Sequence, residues 1–475
     1  MPDEPQTLDP ATRKQPHAAA GADSPAPAGP GVTAGPGAGA EPARWVGRLV
    51  VVGLVLAALN LRPAITSLGA LLEEVRDGLH MSGSVAGVLT SVPPLCFAVF
   101  GIAAPRLARR FGPAAVVCAG MAAILAGLAL RPFAGGTVTF LAASALALMG
   151  IAVSNVLMPV IVKTYFPDRI GSMTGLYSMA LALGTSLAAA ATVPMTQALG
   201  GSWRIGLGVW AVVAALAVVP WLPLVRARAA GPAAVPAPAS APATGGAATA
   251  SAATASAVPT SAVPAPASAV PAPSAPASAV PAAPRIARSR TAWALGVFFG
   301  LQATGAYITM GWMPQIFRDA GVPASTAGVL LAVTMVMGVP LAFVIPGLAT
   351  RMRHQGPIVV ALGLCGLAGY TGLYLAPAAG AWVWALLLGI SNCSFPLALT
   401  MIGMRSRTGA GVVRLSAFAQ SVGYLISIPG PLLVGVLYQH SGGWGLPVML
   451  MGGLMIPQMI VGILAGRDRT VEDES

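Results

Sequence analysis

The chain has 475 residues, 56% of them hydrophobic and only 8% charged. A soluble domain carries about 25% charged residues, so a soluble globular protein is excluded: there is too little charge to cover its surface. The net charge of +12 lies in short basic clusters between apolar runs, which is how a bilayer sets orientation and not a nucleic-acid footprint.

In chain order, residues 1–44 are rich in Ala, Pro and Gly and are expected to form a disordered tail. The apolar run that follows is too long for a signal peptide. Runs long enough to cross a bilayer as helices fall at 45–72, 82–104, 114–131, 137–163, 170–192 and 203–224, then at 291–318, 324–349, 356–376, 380–405, 411–438 and 443–465. Their continuity excludes a membrane barrel, whose strands alternate. The expected fold is an all-α integral membrane protein with twelve transmembrane helices in two pseudo-symmetric six-helix bundles, 45–224 and 291–465. A disordered linker, 225–290, joins them, and 466–475 forms a short tail. Residues 229–284 carry no charge and repeat SAVPAPASAVPAP-like units, a composition that favours extended, solvated chain.

With the N-terminus placed in the cytoplasm, 21 of the 26 Lys and Arg residues fall on the cytoplasmic side. Arg76, Arg131, Arg204 and Arg318 fall outside, and Arg62 is left inside the first span. This asymmetry predicts a cell-membrane protein with both termini cytoplasmic. The halves repeat at an offset near 240 residues: AGVL at 86–89 and 327–330, Arg76-Asp77 and Arg318-Asp319, SNVLMP at 154–159 and SNCSFP at 391–396. Parallel six-helix repeats are typical of one class of secondary transporter.

Arg62 is read as the only ionisable group near the bilayer midplane, where a guanidinium costs about 2.5–3.5 kcal/mol. No Asp or Glu lies within a predicted span to neutralise it, which points to an anionic solute as its counter-ion. Pro63 removes a helical donor and leaves the Leu59 carbonyl unpaired. Thr66, one turn on, adds a hydroxyl to the same face. The other polar groups expected at the site are Asn155, Gln302, Asn392 and Gln420, with Tyr177 and Tyr307 nearer the mouths. Asn155 and Asn392, as repeat equivalents, are expected to face each other; helix–helix hydrogen bonding is the alternative for such amides. Gln302 and Tyr307 are about 140° apart on a straight helix, so one cavity takes both only if Gly305 or Gly311 allows a break. Trp312 reads as an interface or gate residue.

The loop GIAAPRLARRFGP, 101–113, resembles the cytoplasmic signature of the major facilitator superfamily, Gly-x-x-x-Asp-Arg-x-Gly-Arg-Arg-x-Gly. Gly101, Arg106, Arg109, Arg110 and Gly112 match, whereas Pro105 and Ala108 replace the Asp and the second Gly, which puts the ionic latch of that signature in doubt. NLRPAITSLGALLEEV (60–75), FPDRIGSMTGLY (166–177, with Asp168 and Arg169), GWMPQIFRDAG (311–321) and RLSAFAQSVGYL (414–425) are similar to the cyanate/nitroimidazole (CynX/NimT) branch of that superfamily. The resemblance implies a carrier of a small anion or small polar organic molecule working by alternating access.

The alternative is a proton-coupled exporter of drug-like molecules. Such a carrier is expected to hold a carboxylate in a span and Gly-Pro where Ala188 and Ala189 stand. An enzyme is not expected, since the spans offer no activated nucleophile, metal cluster or paired carboxylates. The four cysteines lie in apolar runs without ligand spacing. No cofactor is expected. The expected partners are a small-molecule substrate, the lipid bilayer and a coupling proton or ion, with no nucleic acid and a monomeric state.

Overall fold

Every one of the twelve apolar runs is helical in the computed structural model of the chain, which describes residues 41–229 and 286–474. The expected N-terminal tail and linker lie, apart from their edges, outside the described residues. The first half comprises α1 (Glu41–Asn60), α2 (Pro63–Ala70), α3 (Leu72–Gly78), α4 (Gly83–Phe111), α5 (Pro113–Leu130), α6 (Thr137–Tyr165), α7 (Ile170–Ala198), α8 (Trp203–Val218) and α9 (Trp221–Ala229). The second comprises α10 (Arg290–Asp319), α11 (Ala324–Val336), α12 (Gly338–Arg351), α13 (Gly356–Leu375), α14 (Ala381–Asn392), α15 (Ser394–Met404), α16 (Gly409–Ser427), α17 (Pro429–Ser441) and α18 (Gly445–Ala465).

Among the described residues, ten helical stretches are long and apolar enough to cross a membrane. The two remaining places are taken by α8, whose 16 residues are followed by α9, and by α10, 30 residues long. α10 buries Gln302, Thr304, Thr309 and Gln315 inside the protein, which lowers its hydropathy without exposing polar groups to lipid. Four spans are broken midway: α1/α2, α11/α12, α14/α15 and α16/α17. Pro63 and Pro429 open the second piece of two of them, because proline has no amide to continue the first.

One end of the bundle carries Glu73, Glu74 and Arg318, and is here the latch end; the other carries the Arg106 loop and the end of α18, and is the terminal end. At the latch end the halves meet with little between them. Gly69 of α2 packs on the Met310 carbonyl of α10, Gly87 of α4 on Leu432 of α17, and Gly328 of α11 on the Ala189 carbonyl of α7. A Cβ at any of these would clash. Arg318 pairs with Glu73 and Glu74, each at 2.9 Å. The Trp312 indole donates to Thr90 Oγ1 at 3.2 Å, and the Asp319 carboxylate accepts from Tyr438 at 3.0 Å and Trp444 at 2.7 Å.

At the terminal end the ion pairs among the described residues stay within the second half: Arg353 with Asp468 and Arg407 with Asp473. There Arg405 is buried and donates to the carbonyls of Ala465 (3.1 Å) and Gly466 (3.0 Å) and to Gln355. The following residues fold back under the bundle. Glu474 accepts from Ser289 Oγ (2.7 Å) and from the Thr291 amide (3.0 Å) and hydroxyl (2.8 Å), so it caps α10. Glu472 accepts from Ser406 at 2.5 Å. Burial would raise the pKa of both carboxyls, but these hydrogen bonds outweigh it and hold both below the usual carboxylate value.

Candidate functional site

The site is built on the break in the first span. α1 ends at Asn60, whose amide donates to the Leu56 and Val213 carbonyls at 3.0 Å each. Leu61 and Arg62 form the turn, and α2 restarts at Pro63. The Leu59 carbonyl, which proline leaves without its helical donor, lies against Gly184 of α7. Arg62, half-buried at the cap of α2, forms no ion pair with a described residue. Its guanidinium sits beside the Tyr307 oxygen of α10 and within electrostatic reach of Tyr424 of α16. Phe97 of α4 joins the two halves here: its ring stacks on Tyr424 at 5.1 Å and lies 6.5 Å from Tyr307. A cation, two phenols and an aromatic floor thus meet between the halves.

The remaining expected residues divide into several places. Thr66 does not offer its hydroxyl to a cavity: it is fully buried and donates to the Arg62 carbonyl at 3.2 Å, mending the broken turn. α10 is unbroken through Gly305 and Gly311, so Gln302 and Tyr307 point apart. Gln302 donates to Asn392 Oδ1 (2.8 Å) and accepts from Gln458 of α18 (3.1 Å), a buried amide triad inside the second half. Asn392 is therefore turned to Gln302 and not to Asn155, which is half-buried on α6. Tyr177 is half-buried on α7 beside Ser178. Gln420, half-buried on α16, donates to Ser416 at 2.7 Å.

In the signature loop, Gly112 ends α4 at φ 85°, a backbone that glycine favours, and Gly101 faces Val156 of α6, which a Cβ would meet at 3.8 Å. Arg106, Arg109 and Arg110 are exposed, as are Asp168 and Arg169 in the turn before α7. Arg106 donates to Ile102 of its own helix at 3.2 Å. No ion pair joins this loop to the rest of the described residues.

One expectation needs correcting. Arg131 sits in the connection between α5 and α6, as expected, but its side chain does not stay in that loop, so Arg62 is not the only arginine turned into the first half. Arg131 is fully buried: it follows α5 in a 3-10 turn and folds back into the first half, donating to Ser144 Oγ at 3.0 Å and to the Ala64 carbonyl at 2.9 Å. Its position at the end of an apolar run, before Pro132, is that of an ordinary loop arginine. The partners that draw it inward lie on other helices. Tyr424 and Gln458 were likewise not singled out by sequence, although Gln458 is the only amide in the apolar run of α18.

The chain matches the family model of the Major Facilitator Superfamily over residues 52–427. It is 32% identical over 430 residues to an uncharacterized transporter, YycB, of Bacillus subtilis (strain 168), covering 89% of this chain and 94% of that one. It is 29% identical to a 2-nitroimidazole transporter of Escherichia coli (strain K12), covering 89% and 96%. Identity is 28% to the cyanate transport protein CynX of Escherichia coli (strain K12), covering 85% and 94%. Among solved structures, a bacterial homologue of the human lysosomal transporter Spinster, in an inward-facing and occupied conformation, superposes with a TM-score of 0.63 at 15% identity, covering 90% of this chain and 96% of that one.

Proposed function

The chain belongs to the Major Facilitator Superfamily, in the branch of the cyanate and 2-nitroimidazole transporters, and from that premise we propose that it is a secondary active carrier of a small anion or small polar organic solute. Cyanate-like and nitroimidazole-like molecules are the solute classes. The observation that carries the reading is Arg62: a guanidinium at a broken helix between the halves, beside two phenols, with no carboxylate paired to it among the described residues. A small anion supplies the missing charge through charge-assisted hydrogen bonds from the guanidinium. Tyr307 and Tyr424 orient it, and Phe97 closes the floor.

The cycle follows from the two ends. We place the terminal end in the cytoplasm, as the distribution of Lys and Arg supports, in a cell membrane with the latch end outside. The closed Arg318–Glu73–Glu74 contact and the glycine seam then seal the outer path. The exposed Arg106 loop leaves the cytoplasmic path unlatched. Exchange between this arrangement and its opposite carries the solute across, and a proton or ion is the expected coupling partner.

Flux of cyanate into proteoliposomes tests the reading. Arg62→Ala should abolish it at matched protein levels. Arg62→Lys should retain little, because lysine keeps the charge but loses the planar fork. Near-wild-type flux in Arg62→Ala would make the residue structural and replace the anion carrier with a carrier of neutral solutes.

A further inference from the structure

Arg131 is a charge that the Arg62 site does not account for. It is 0% exposed. Nε is committed to Ser144 and Nη1 to the Ala64 carbonyl, and the Phe140 ring lies 5.7 Å from the guanidinium. Nη2 has no hydrogen-bond partner, and Arg131 forms no ion pair with a described residue. Buried cations are ordinarily paired, since an unpaired one bears its full desolvation cost.

The side chain opens on a small cavity between the halves, which it lines together with Ala64, Thr90, Tyr307 and Gly311. Thr90 is already committed: its hydroxyl donates within α4 and accepts from Trp312. Among the polar groups of the residues that line the cavity, Arg131 Nη2 is thus a buried donor without a partner. Tyr307 walls the cavity and also meets Arg62, so the cavity that Arg131 lines reaches the residue that Arg62 touches.

We infer that Arg131 is a second anion contact of the carrier, holding one end of the solute through Nη2 while Arg62 holds the other, so that the site takes a small anion with acceptor atoms at two ends. This rests on the reading of Arg62 as the anion-binding charge and extends it to a solute class. Nη2 carries two N–H donors, neither engaged, and charge-assisted hydrogen bonds from them suit a linear or planar anion with separated acceptor atoms better than a single-atom ion. With the latch end closed the cavity is pinched by Gly311 against Thr90. Its widening on opening would present Arg131 to solute entering from that end.

The test is binding of cyanate, with chloride as the single-atom control, to purified full-length protein by calorimetry, alongside the melting temperature without anion. Arg131→Lys should weaken cyanate at least tenfold and reduce the preference for cyanate over chloride. Ser144→Ala keeps the charge but frees the guanidinium to swing; it should weaken cyanate three- to tenfold and lower the melting temperature by a few degrees, because Nε of a buried cation loses its partner, and it keeps the test open should Arg131→Lys fail to fold. Cyanate binding that depends on Arg62 but stays at the wild-type level in Ser144→Ala, and in Arg131→Lys where it folds, would overturn the inference: Nη2 would then hold only a buried water, and the Arg62 reading would stand. Wild-type cyanate affinity in Arg62→Ala would instead remove the reading beneath both.

Discussion

Replacing Gly69 by alanine should prise the latch end open. Gly69 of α2 lies on the Met310 carbonyl of α10, and an added methyl group would lie well inside van der Waals contact with that oxygen. The opposing atom is backbone within an unbroken 30-residue helix, so it cannot yield as a flexible side chain would. Overpacking of this kind costs about 1–3 kcal/mol. The cost falls only on the arrangement in which α2 and α10 touch, so it becomes a shift of about 5- to 150-fold toward the opened latch end. The assay is the rate at which a membrane-impermeant thiol reagent labels Leu89→Cys, with the four native cysteines replaced. Leu89 is fully buried and lines the cavity beneath the latch. Gly69→Ala should raise that rate by the factor given. Gly305→Ala on α10, where a Cβ meets nothing within 4 Å, should leave it unchanged. Equal labelling in Gly69→Ala and wild type would refute the seam as the closing contact.

Arg318→Ala should also favour the opened latch end, by about 1 kcal/mol for partly exposed pairs, because it leaves Glu73 and Glu74 facing each other without their cation; unchanged Leu89→Cys labelling would count against it. Gln302→Leu should lower the melting temperature by several degrees, since Asn392 and Gln458 each lose a buried partner at about 0.6–2 kcal/mol per bond in a membrane; an unaltered melting temperature would dissolve the triad. The pH dependence follows from Glu472 and Glu474, whose lowered pKa values contribute stability that is fully present above the ordinary 4.5 and is lost as pH falls through their folded values. Wild-type melting temperature should therefore hold from pH 7 to 5 and fall below about 4.5, and Glu474→Gln should blunt the fall; an identical fall in that variant would exclude the cap. Reporter fusions after Gly135, Gly200 and Gly380 should read as external and those after Gly112 and Gly356 as cytoplasmic; the reverse pattern would invert the proposed orientation.

The spans were legible in the sequence because lipid permits few charges, so their ends mark themselves. The break at Arg62 was legible because Pro63 has no amide to give. The breaks at Met337 and Cys393 carry the same signal at one remove: Pro340 and Pro396 leave the Val336 and Asn392 carbonyls without helical donors, although α12 and α15 restart before the proline and not at it. Arg62 stood out by its isolation in an apolar run. Arg131 did not, because its inward turn depends on Ser144 and the Ala64 carbonyl, partners 13 and 67 residues away. Helical periodicity placed Gln302 and Tyr307 on different faces and the unbroken α10 keeps them there. Repeat symmetry misled for Asn392: equivalent positions share a place in the fold, but Gln302, itself held by Gln458, draws the Asn392 amide to its own half.

The two interior guanidinium groups also bring the membrane voltage into the proposed cycle. Amides such as Gln302, Asn392 and Gln458 carry no charge at any working pH, so fixed positive charge dominates between the ends. When the aqueous opening passes from one end to the other, most of the electrical drop moves from one side of those charges to the other, even if they scarcely move. One elementary charge crossing 100 mV exchanges about 2.3 kcal/mol. The empty carrier, positive inside, feels that field, whereas a bound monovalent anion cancels one charge and weakens it. Polarisation of the membrane would then act on the return of the empty carrier more strongly than on the passage of the loaded one.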